Sequence, residues 1–485
     1  MSAHPDVVDA QEAVPQSELY NPDLAPTSYW TRTWNGWHLA SLWIGMSVCI
    51  PTYMLAASLI QAGLNWWQSL LAILLGNLIV LAPMLINGHA GTRYGIPFPV
   101  YARAAFGVRG AHVPALLRGL VACGWFGIQT WVGGLAIAEL LGIMWPAYRE
   151  LGGAWTFMGQ GLPTYTGFAV FWLMNVYFVH AGTESIRWLE TISAPFLIVV
   201  GLGLLWWAID QVGGLAPILA QTNAVAAAAP RPPGGFALGL FLPWVTAMVG
   251  FWATLALNIP DFTRFARSQR DQVFGQAAGL LTTMPLFSFI GLAVTGATII
   301  LYGHAVWNPV ELVGRLAVDG NSKLLAGFAL IVILVATLTT NIAANIVAPA
   351  NALANLNPRR IGAKLGGYIA AVIGVVLLPW RLLDAYQTWL LSYSGLLGAV
   401  GGILVCDYLV IRRLQLKLDD LYRVNGAYSY RNGFNRKALI ALLVGIVAAL
   451  AGLFAPGLAF LFHGAWFTAG FSSFIVYYIL MRREA

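Results

Sequence analysis

The sequence predicts an all-α polytopic membrane protein with about twelve transmembrane helices, and its composition and long apolar segments are the grounds for this. Of its 485 residues, 59% are hydrophobic and only 9% are charged. The mean hydropathy is +0.72. So little charge cannot cover the surface of a soluble protein of this length.

Twelve apolar segments, each near the roughly 20 residues needed to cross a bilayer, follow one another along the chain. They span residues 36–62, 67–88, 112–143, 164–181, 190–209, 236–262, 276–302, 323–350, 363–382, 387–411, 437–455 and 458–481. The connections between them are too short for a large domain outside the membrane.

Lysine and arginine are distributed unevenly between the two sides that these segments define. If the N-terminus is cytoplasmic, the cytoplasmic connections carry most of them, including Arg93, Arg264 and Arg412. This asymmetry predicts a plasma or inner membrane protein with both termini in the cytoplasm. It also accounts for the net charge of +7, so we expect no nucleic-acid partner.

The N-terminal tail argues against a signal peptide, and the positions of the cysteines argue against disulfides and a metal cofactor. Residues 1–34 are polar and acidic, without the basic and apolar regions of a secretory signal, so we expect no signal peptide. Cys49, Cys123 and Cys406 fall in three different segments without metal-ligand spacing. We therefore expect free thiols and no metal cofactor.

The first segment carries a proline near its middle, at Pro51. Proline lacks the backbone donor and disrupts the preceding turn, so carbonyl groups around Gly45 to Val48 are expected to be free. An interrupted helix at bilayer depth persists where it lines a cavity inside the protein. A simple proline kink is the alternative.

The connection after the second segment is rich in glycine and proline over residues 87–100. This density predicts a structured loop rather than a regular helix, either a gate or an ordinary basic loop. The third segment follows with Trp125 and Gln129 one turn apart on one face. An indole beside a carboxamide suits a flat heterocycle, although most tryptophans in membrane segments serve packing.

The sixth segment contains a second predicted interruption at residues 249–254, around Gly250. Interruptions in the first and sixth segments lie five segments apart. Such a pair predicts two inverted five-helix repeats with a binding site between them. We assign residues 35–210 to the first repeat, 236–412 to the second, and 436–485 to two further helices, after a cytoplasmic tail of residues 1–34.

The eighth segment holds Thr339, Thr340, Asn341 and Asn345 in otherwise apolar surroundings. Polar groups in hydrocarbon need partners. Hydroxyl and carbonyl oxygens suit a hard monovalent cation, and carboxamides suit the edge of a heterocycle. Interhelical hydrogen bonding is the alternative.

Taken together, these motifs resemble the nucleobase:cation symporter-1 family over nearly the whole chain, and its allantoin, hydantoin and uracil permeases most. The motifs are residues 21–24, 43–46, 50–53, 87–91, 97–100, 125–130, 258–265 and 341–350. The resemblance implies a LeuT-like five-plus-five inverted repeat with two additional C-terminal helices. It also implies import of a small flat amide heterocycle with a cation, by alternating access.

The resemblance also implies a role for particular residues. The ring would stack between Trp125 and Trp252, with Gln129 and Asn345 on its amide edge, Asn341 assisting and Leu390 as an occluding gate. A sodium ion would bind the backbone carbonyls of Gly45, Val48 and Ala336 and the hydroxyls of Thr339 and Thr340. Cys49 and Phe251 complete the seven residues expected to bind the substrate, and both depart from relatives. Cys49 stands where relatives carry an amide, and Phe251 stands where some relatives have glycine.

The retained pair of threonine hydroxyls favours sodium over a proton as the coupling ion, because relatives that use protons can lack one of them. No acidic residue of the sequence falls beside the proposed site at mid-membrane. A membrane enzyme is disfavoured, since no nucleophile with a base and no metal cluster lies at depth. A channel is disfavoured by the bulky aromatic residues of the site.

Overall fold

The computed structural model describes residues 17–181, 184–319 and 323–483, so residues 1–16 of the predicted N-terminal tail lie outside the described residues. Within this part, nine helices are long and apolar enough to cross a membrane, and two bent helix pairs each add one crossing. The shorter apolar helix Ala363–Val376 occupies the place of the predicted ninth span. These helices together account for the twelve predicted spans.

The helices follow the predicted order, and spans are numbered accordingly. Spans 1 to 5 are Gly36–Ser47 with Ile50–Gln61, Trp66–Tyr94, His112–Met144, Leu162–Ala181 and Glu184–Val212. Spans 6 to 10 are Leu242–Asn258, Gln269–Tyr302, Lys323–Asn345, Ala363–Val376 and Tyr386–Val405. Spans 11 and 12 are Arg436–Phe454 and Ala459–His463 with Ala465–Met481.

Shorter elements lie in the connections or extend the spans. Two π-helical turns, Phe236–Phe241 and Cys406–Ile411, precede span 6 and extend span 10. The other helices are Pro22–Leu24, Tyr29–Thr31, Phe98–Phe106, Pro146–Glu150, Leu215–Ala228, Pro260–Thr263, Pro309–Asp319, Val347–Leu356, Pro379–Asp384, Asp419–Tyr422 and Pro456–Leu458. Strands Thr156–Phe157 and Gln160–Gly161 form one antiparallel hairpin.

The predicted interruption of span 1 is confirmed. Its two helices end and begin around Val48 and Cys49 and are bent by 56°. Pro51 is the second residue of the second helix, where its missing N–H costs no intrahelical hydrogen bond. The break leaves backbone groups of span 1 available in the middle of the protein.

Two groups of four spans form the body of the fold. Spans 1, 2, 6 and 7 pack on one another, and spans 3, 4, 8 and 9 form the second group. Glycines allow close contact in the first group, because a Cβ atom on Gly76 would overlap Met248 and one on Gly279 would overlap Trp43. Spans 10, 11 and 12 pack together beside these groups.

The predicted interruption of span 6 at residues 249–254 is wrong. The helix is continuous from Leu242 to Asn258, and the break follows at Ile259 before the short helix Pro260–Thr263. Gly250 instead permits close packing on span 10, where its Cβ would lie 2.9 Å from that of Ser394. The glycine is explained by a neighbouring helix rather than by a break.

The predicted loop at residues 87–100 is wrong over most of its length. Span 2 continues as a helix to Tyr94 and ends at Gly95, whose φ of 69° favours glycine. A second helix, Phe98–Phe106, follows almost at once. Within the extended helix, Gly88 lies against span 7 and the connection between spans 6 and 7, and Gly91 lies against that connection, so both serve packing.

The N-terminal segment, residues 17–35, crosses one face of the protein, which we call the N-terminal side. Hydrogen bonds at Asp23 join this segment to both groups of spans. The Asp23 carbonyl oxygen accepts a hydrogen bond from Arg264, just after span 6, at 3.0 Å. Its carboxylate accepts one from the backbone N–H of Ala363, at the start of span 9, at 3.0 Å.

Asp407 lies just after the C-terminal end of span 10, on the N-terminal side of the protein, and is almost fully buried. Its carboxylate lies 2.7 Å from the Arg412 Nε and accepts a hydrogen bond from the Tyr477 hydroxyl of span 12 at 2.7 Å. We expect Asp407→Ala to lower the free energy of unfolding by about 3 kcal/mol, because Arg412 loses its counterion. Thermal unfolding in detergent measures this, and an unchanged melting temperature would contradict it.

Candidate functional site

A small cavity lies between the two groups of spans, beside the break in span 1. Its volume is about 30 Å³, enough for a single water molecule. It is lined by Met46, Cys49, Trp125, Gln129, Phe251, Trp252, Thr254, Leu255, Thr340, Ala344 and Asn345. Six of the seven residues predicted to bind a substrate line this cavity. The exception is Asn341.

The aromatic residues of the cavity contact one another edge to face. The ring centroid of Phe251 lies 5.2 Å from that of Trp125 and 4.8 Å from that of Trp252. The Trp125 indole N–H donates to the Tyr393 hydroxyl of span 10 at 3.2 Å. A flat ring could stack on either indole only after Phe251 moves, because a cavity of about 30 Å³ has no room for it.

Gln129 lines the cavity and carries an unused hydrogen-bond acceptor. The side chain is 5% exposed, and its Oε1 is buried without a hydrogen-bond partner among the described residues. Such unpaired acceptors are rare inside proteins because each costs about 1–3 kcal/mol. A ligand with an N–H group at this point would satisfy it.

Asn341 and Asn345 form a chain of carboxamides that leads from the protein interior to the cavity. The Asn345 amide donates to the Asn341 Oδ1 at 3.0 Å. The Asn341 amide lies within 3.2 Å of the Phe126 carbonyl oxygen, the Thr130 hydroxyl and the Asn175 Oδ1. Hydrogen bonds to spans 3 and 4 therefore hold the Asn341 side chain, which orients Asn345 rather than facing the cavity.

Thr130 and Asn175 are supporting residues that the sequence analysis missed. Both are fully buried. Asn175 also donates to the Phe171 carbonyl oxygen of its own helix at 2.8 Å, which fixes its orientation. A carboxamide within the apolar fourth segment was the available signal, because such a group needs a partner in the membrane.

We expect Asn175→Ala to weaken ligand affinity without unfolding the protein. The change leaves the Asn341 amide with one acceptor fewer, so Asn345 loses part of its orientation. Loss of a buried hydrogen bond at about 1–3 kcal/mol corresponds to a rise in half-saturation of about tenfold. Uptake kinetics normalised to the amount of folded protein measure it, and an unchanged half-saturation would exclude this supporting role.

The predicted cation ligands are distributed over the break in span 1 and the facing part of span 8. The Thr340 hydroxyl lies 3.3 Å from the carbonyl oxygen of Gly45. The Thr339 hydroxyl lies 3.0 Å from the Ala336 carbonyl oxygen of its own helix. Val48 is the residue at which the first helix of span 1 ends.

The donor set at this place consists of hydroxyl and backbone carbonyl oxygens, which suit an alkali cation. Within the described part of the chain, no three His, Cys, Asp or Glu side chains group to hold a metal ion. Cys49 contributes a thiol 3.3 Å from the Thr52 hydroxyl. It is not among the predicted cation ligands.

Charged residues that the sequence analysis did not single out form the wall toward the N-terminal side. The Arg118 Nε of span 3 donates to the carbonyl oxygen of Thr254 at 2.7 Å and to the Asn258 Oδ1 at 3.0 Å. The Asn258 amide donates to the Asp261 carboxylate at 3.0 Å. Asp261 in turn lines a cavity of about 870 Å³ on the N-terminal side.

The wall on the opposite side is formed by the start of span 10. Tyr386 donates from its hydroxyl to the Pro51 carbonyl oxygen at 3.2 Å, and its ring centroid lies 5.9 Å from that of Trp125. Leu390, the predicted gate, is completely buried one turn further on. It packs against span 6 near Gly250 and does not line the cavity.

Known proteins match this chain over almost its whole length. Residues 27–469 match the family of permeases for cytosine/purines, uracil, thiamine and allantoin. The chain is 42% identical to a purine-uracil permease of Arabidopsis thaliana, over 96% of this chain and 78% of that protein. It is 39% identical to an allantoin permease of Bacillus subtilis, over 96% and 94% of the two chains.

Mhp1, a transporter of the nucleobase-cation-symport-1 family, has a similar structure. Its inward-facing conformation aligns with a TM-score of 0.79 at 27% identity, covering 97% of this chain and 95% of Mhp1. Its closed conformation with bromovinylhydantoin bound aligns with a TM-score of 0.78, covering 96% of both chains. The twelve-span arrangement is thus that of a known transporter fold.

Proposed function

Because this chain belongs to the family of permeases for cytosine/purines, uracil, thiamine and allantoin, we propose that it imports a small amide heterocycle together with a cation. It is a membrane permease rather than an enzyme. The observation that carries the substrate proposal is the unpartnered Gln129 Oε1 in the central cavity. The proposed ligands are the hydantoin, allantoin and uracil class.

The hydrogen-bonding groups of the cavity support a ligand that brings N–H donors. Gln129 offers a free acceptor, and Asn345 has already used its amide on Asn341, so its Oδ1 is available. Hydantoins and uracil place two amide N–H groups on one small ring, which matches two acceptors. The indoles of Trp125 and Trp252 supply the apolar faces on which such a ring stacks.

Alternating access in this chain would follow from the position of the cavity between the two groups of spans. Bonds that join the groups, such as Arg118 to Thr254, must break when the N-terminal side opens. Phe251 and Tyr386 must move when a ring enters from the opposite side. A ligand that binds both groups stabilises the closed state and thereby couples entry to release.

We propose sodium as the coupling ion, held by Gly45, Val48, Ala336, Thr339 and Thr340. The contact between Thr340 and Gly45 supports this, because it joins spans 8 and 1 at the break. An ion at this place would bridge the two groups. We also propose that both termini are cytoplasmic, on the distribution of basic residues.

Proton coupling is the alternative, and one observation favours it. Asp261 is a buried carboxyl group, and Asn258 connects it to Arg118 between the central cavity and the larger one. A carboxyl group in such a place could exchange a proton with the N-terminal side during the cycle.

Uptake into liposomes tests the function directly. Purified protein is reconstituted and given radiolabelled uracil, hydantoin or allantoin, each with and without an inward sodium gradient. We expect sodium-driven accumulation of at least one of them. Accumulation driven by a proton gradient alone would overturn the sodium site, and no accumulation of any would overturn the proposed substrate class.

A further inference from the structure

A second cavity of about 440 Å³ lies on the side opposite the N-terminal segment. It is formed by the end of span 1, the start of spans 6 and 10, and the connections between spans 7 and 8 and between spans 9 and 10. Its lining residues are Ser58, Gln61, Ala62, Trp244, Trp307, Leu383, Asp384, Tyr386 and Gln387. Cavities of this size hold small organic ligands.

This outer cavity repeats the chemistry of the central one. It contains two indoles, Trp244 and Trp307, and two carboxamides, Gln61 and Gln387. The central cavity likewise combines Trp125 and Trp252 with Gln129 and Asn345. Within the described part of the chain, neither Gln61 nor Gln387 forms a side-chain hydrogen bond, so their groups are available to a ligand.

Tyr386 separates the two cavities. Its ring lines the outer cavity and also contacts Trp125 of the central cavity. The hydroxyl bond to Pro51 holds the ring in place. A ligand in the outer cavity therefore lies against the residue that must move before the central cavity can admit it.

We propose that the outer cavity is a second binding subsite for the same class of uncharged amide heterocycle, occupied before the central cavity opens. This rests on the proposed function. Indole faces stack flat rings, and carboxamides pair with amide edges. Asp384 accepts N–H groups and repels anions, so the subsite favours a neutral ring over an anionic one. The central cavity of about 30 Å³ cannot hold such a ring in this conformation.

A cysteine reporter in the outer cavity tests the subsite. The three native cysteines are all buried, so a membrane-impermeant maleimide should label an introduced thiol selectively. Ser58→Cys is the reporter, since the Ser58 hydroxyl donates to the Met54 carbonyl oxygen of its own helix. Gln129→Ala is added to disable the central site. Uracil, hydantoin and allantoin are then each titrated against the labelling rate in intact cells.

We expect the heterocycle to slow labelling in a saturable way even with the central site disabled. Trp307→Ala should shift the protecting concentration upward about tenfold, because stacking of one ring on an indole is lost. Trp307→Phe should restore most of the protection. Trp206→Ala, which removes a 70% exposed indole from span 5, is the matched control and should change nothing.

The outcomes separate this proposal from the proposed function. Saturable uptake by the wild-type chain without protection of Ser58→Cys would overturn the subsite and leave the function standing. Protection that persists unchanged in Trp307→Ala would also overturn it. Absence of uptake for all three heterocycles would instead overturn the function, whatever the labelling shows.

Discussion

Replacing Gln129 with alanine or leucine is expected to abolish saturable uptake while leaving the protein as stable as before. Among the described residues the Gln129 Oε1 has no hydrogen-bond partner, so its removal costs the fold no hydrogen bond. It even relieves an unsatisfied acceptor, and the melting temperature should stay constant or rise. The ligand, in contrast, loses the acceptor for its N–H group.

The leucine variant makes the test specific to hydrogen bonding. Leucine keeps the approximate volume of glutamine, so the shape of the cavity changes little. A loss of uptake of at least a hundredfold is expected from loss of an acceptor at about 3 kcal/mol. Transport near the wild-type level by a folded Gln129→Leu protein would show that the ligand binds elsewhere.

The double substitution Thr339→Ala with Thr340→Ala is expected to remove the dependence of uptake on sodium. It removes two of five proposed oxygen ligands. The apparent sodium affinity should fall at least tenfold, about 1.4 kcal/mol or more. Uptake is measured across a series of sodium concentrations at constant ionic strength.

Thr337→Ala is the matched control for this pair. Thr337 is equally buried on span 8, but its hydroxyl donates to the Ile333 carbonyl oxygen of the same helix at 2.7 Å. Its loss should leave the sodium response unchanged. If the double variant also responded to sodium like the wild type, the two hydroxyls would be packing groups. Proton coupling would then be favoured over sodium coupling.

The sequence predicted the break in span 1 because proline has a direct local effect on a helix. Pro51 cannot continue the preceding turn, whatever surrounds it. The same reasoning was wrong at Gly250, because glycine permits both a break and a close helix contact. Which of these occurs depends on Ser394 and Leu390, about 140 residues away, and local sequence carries no signal for that.

The residues that line the cavity were also predictable, but which of them face a ligand and which support a neighbour was not. Residue types and helical spacing placed Trp125 and Gln129 on one face, and the structure places both at the cavity. Asn341 shares a face with Asn345, yet its amide is held by Thr130 and Asn175 from two other spans. Only the packed helices distinguish a ligand-facing carboxamide from a supporting one.

The glycine contacts of the first helix group affect how mutational surveys of this permease should be interpreted. Any side chain at Gly76 or Gly279 would push apart helices that touch through their backbones. Such positions would tolerate substitution as poorly as Gln129, although neither lines the central cavity. Growth-based screens would rank them alike. Dividing each transport score by the abundance of the variant separates the two kinds of position, because only the glycine variants lose folded protein.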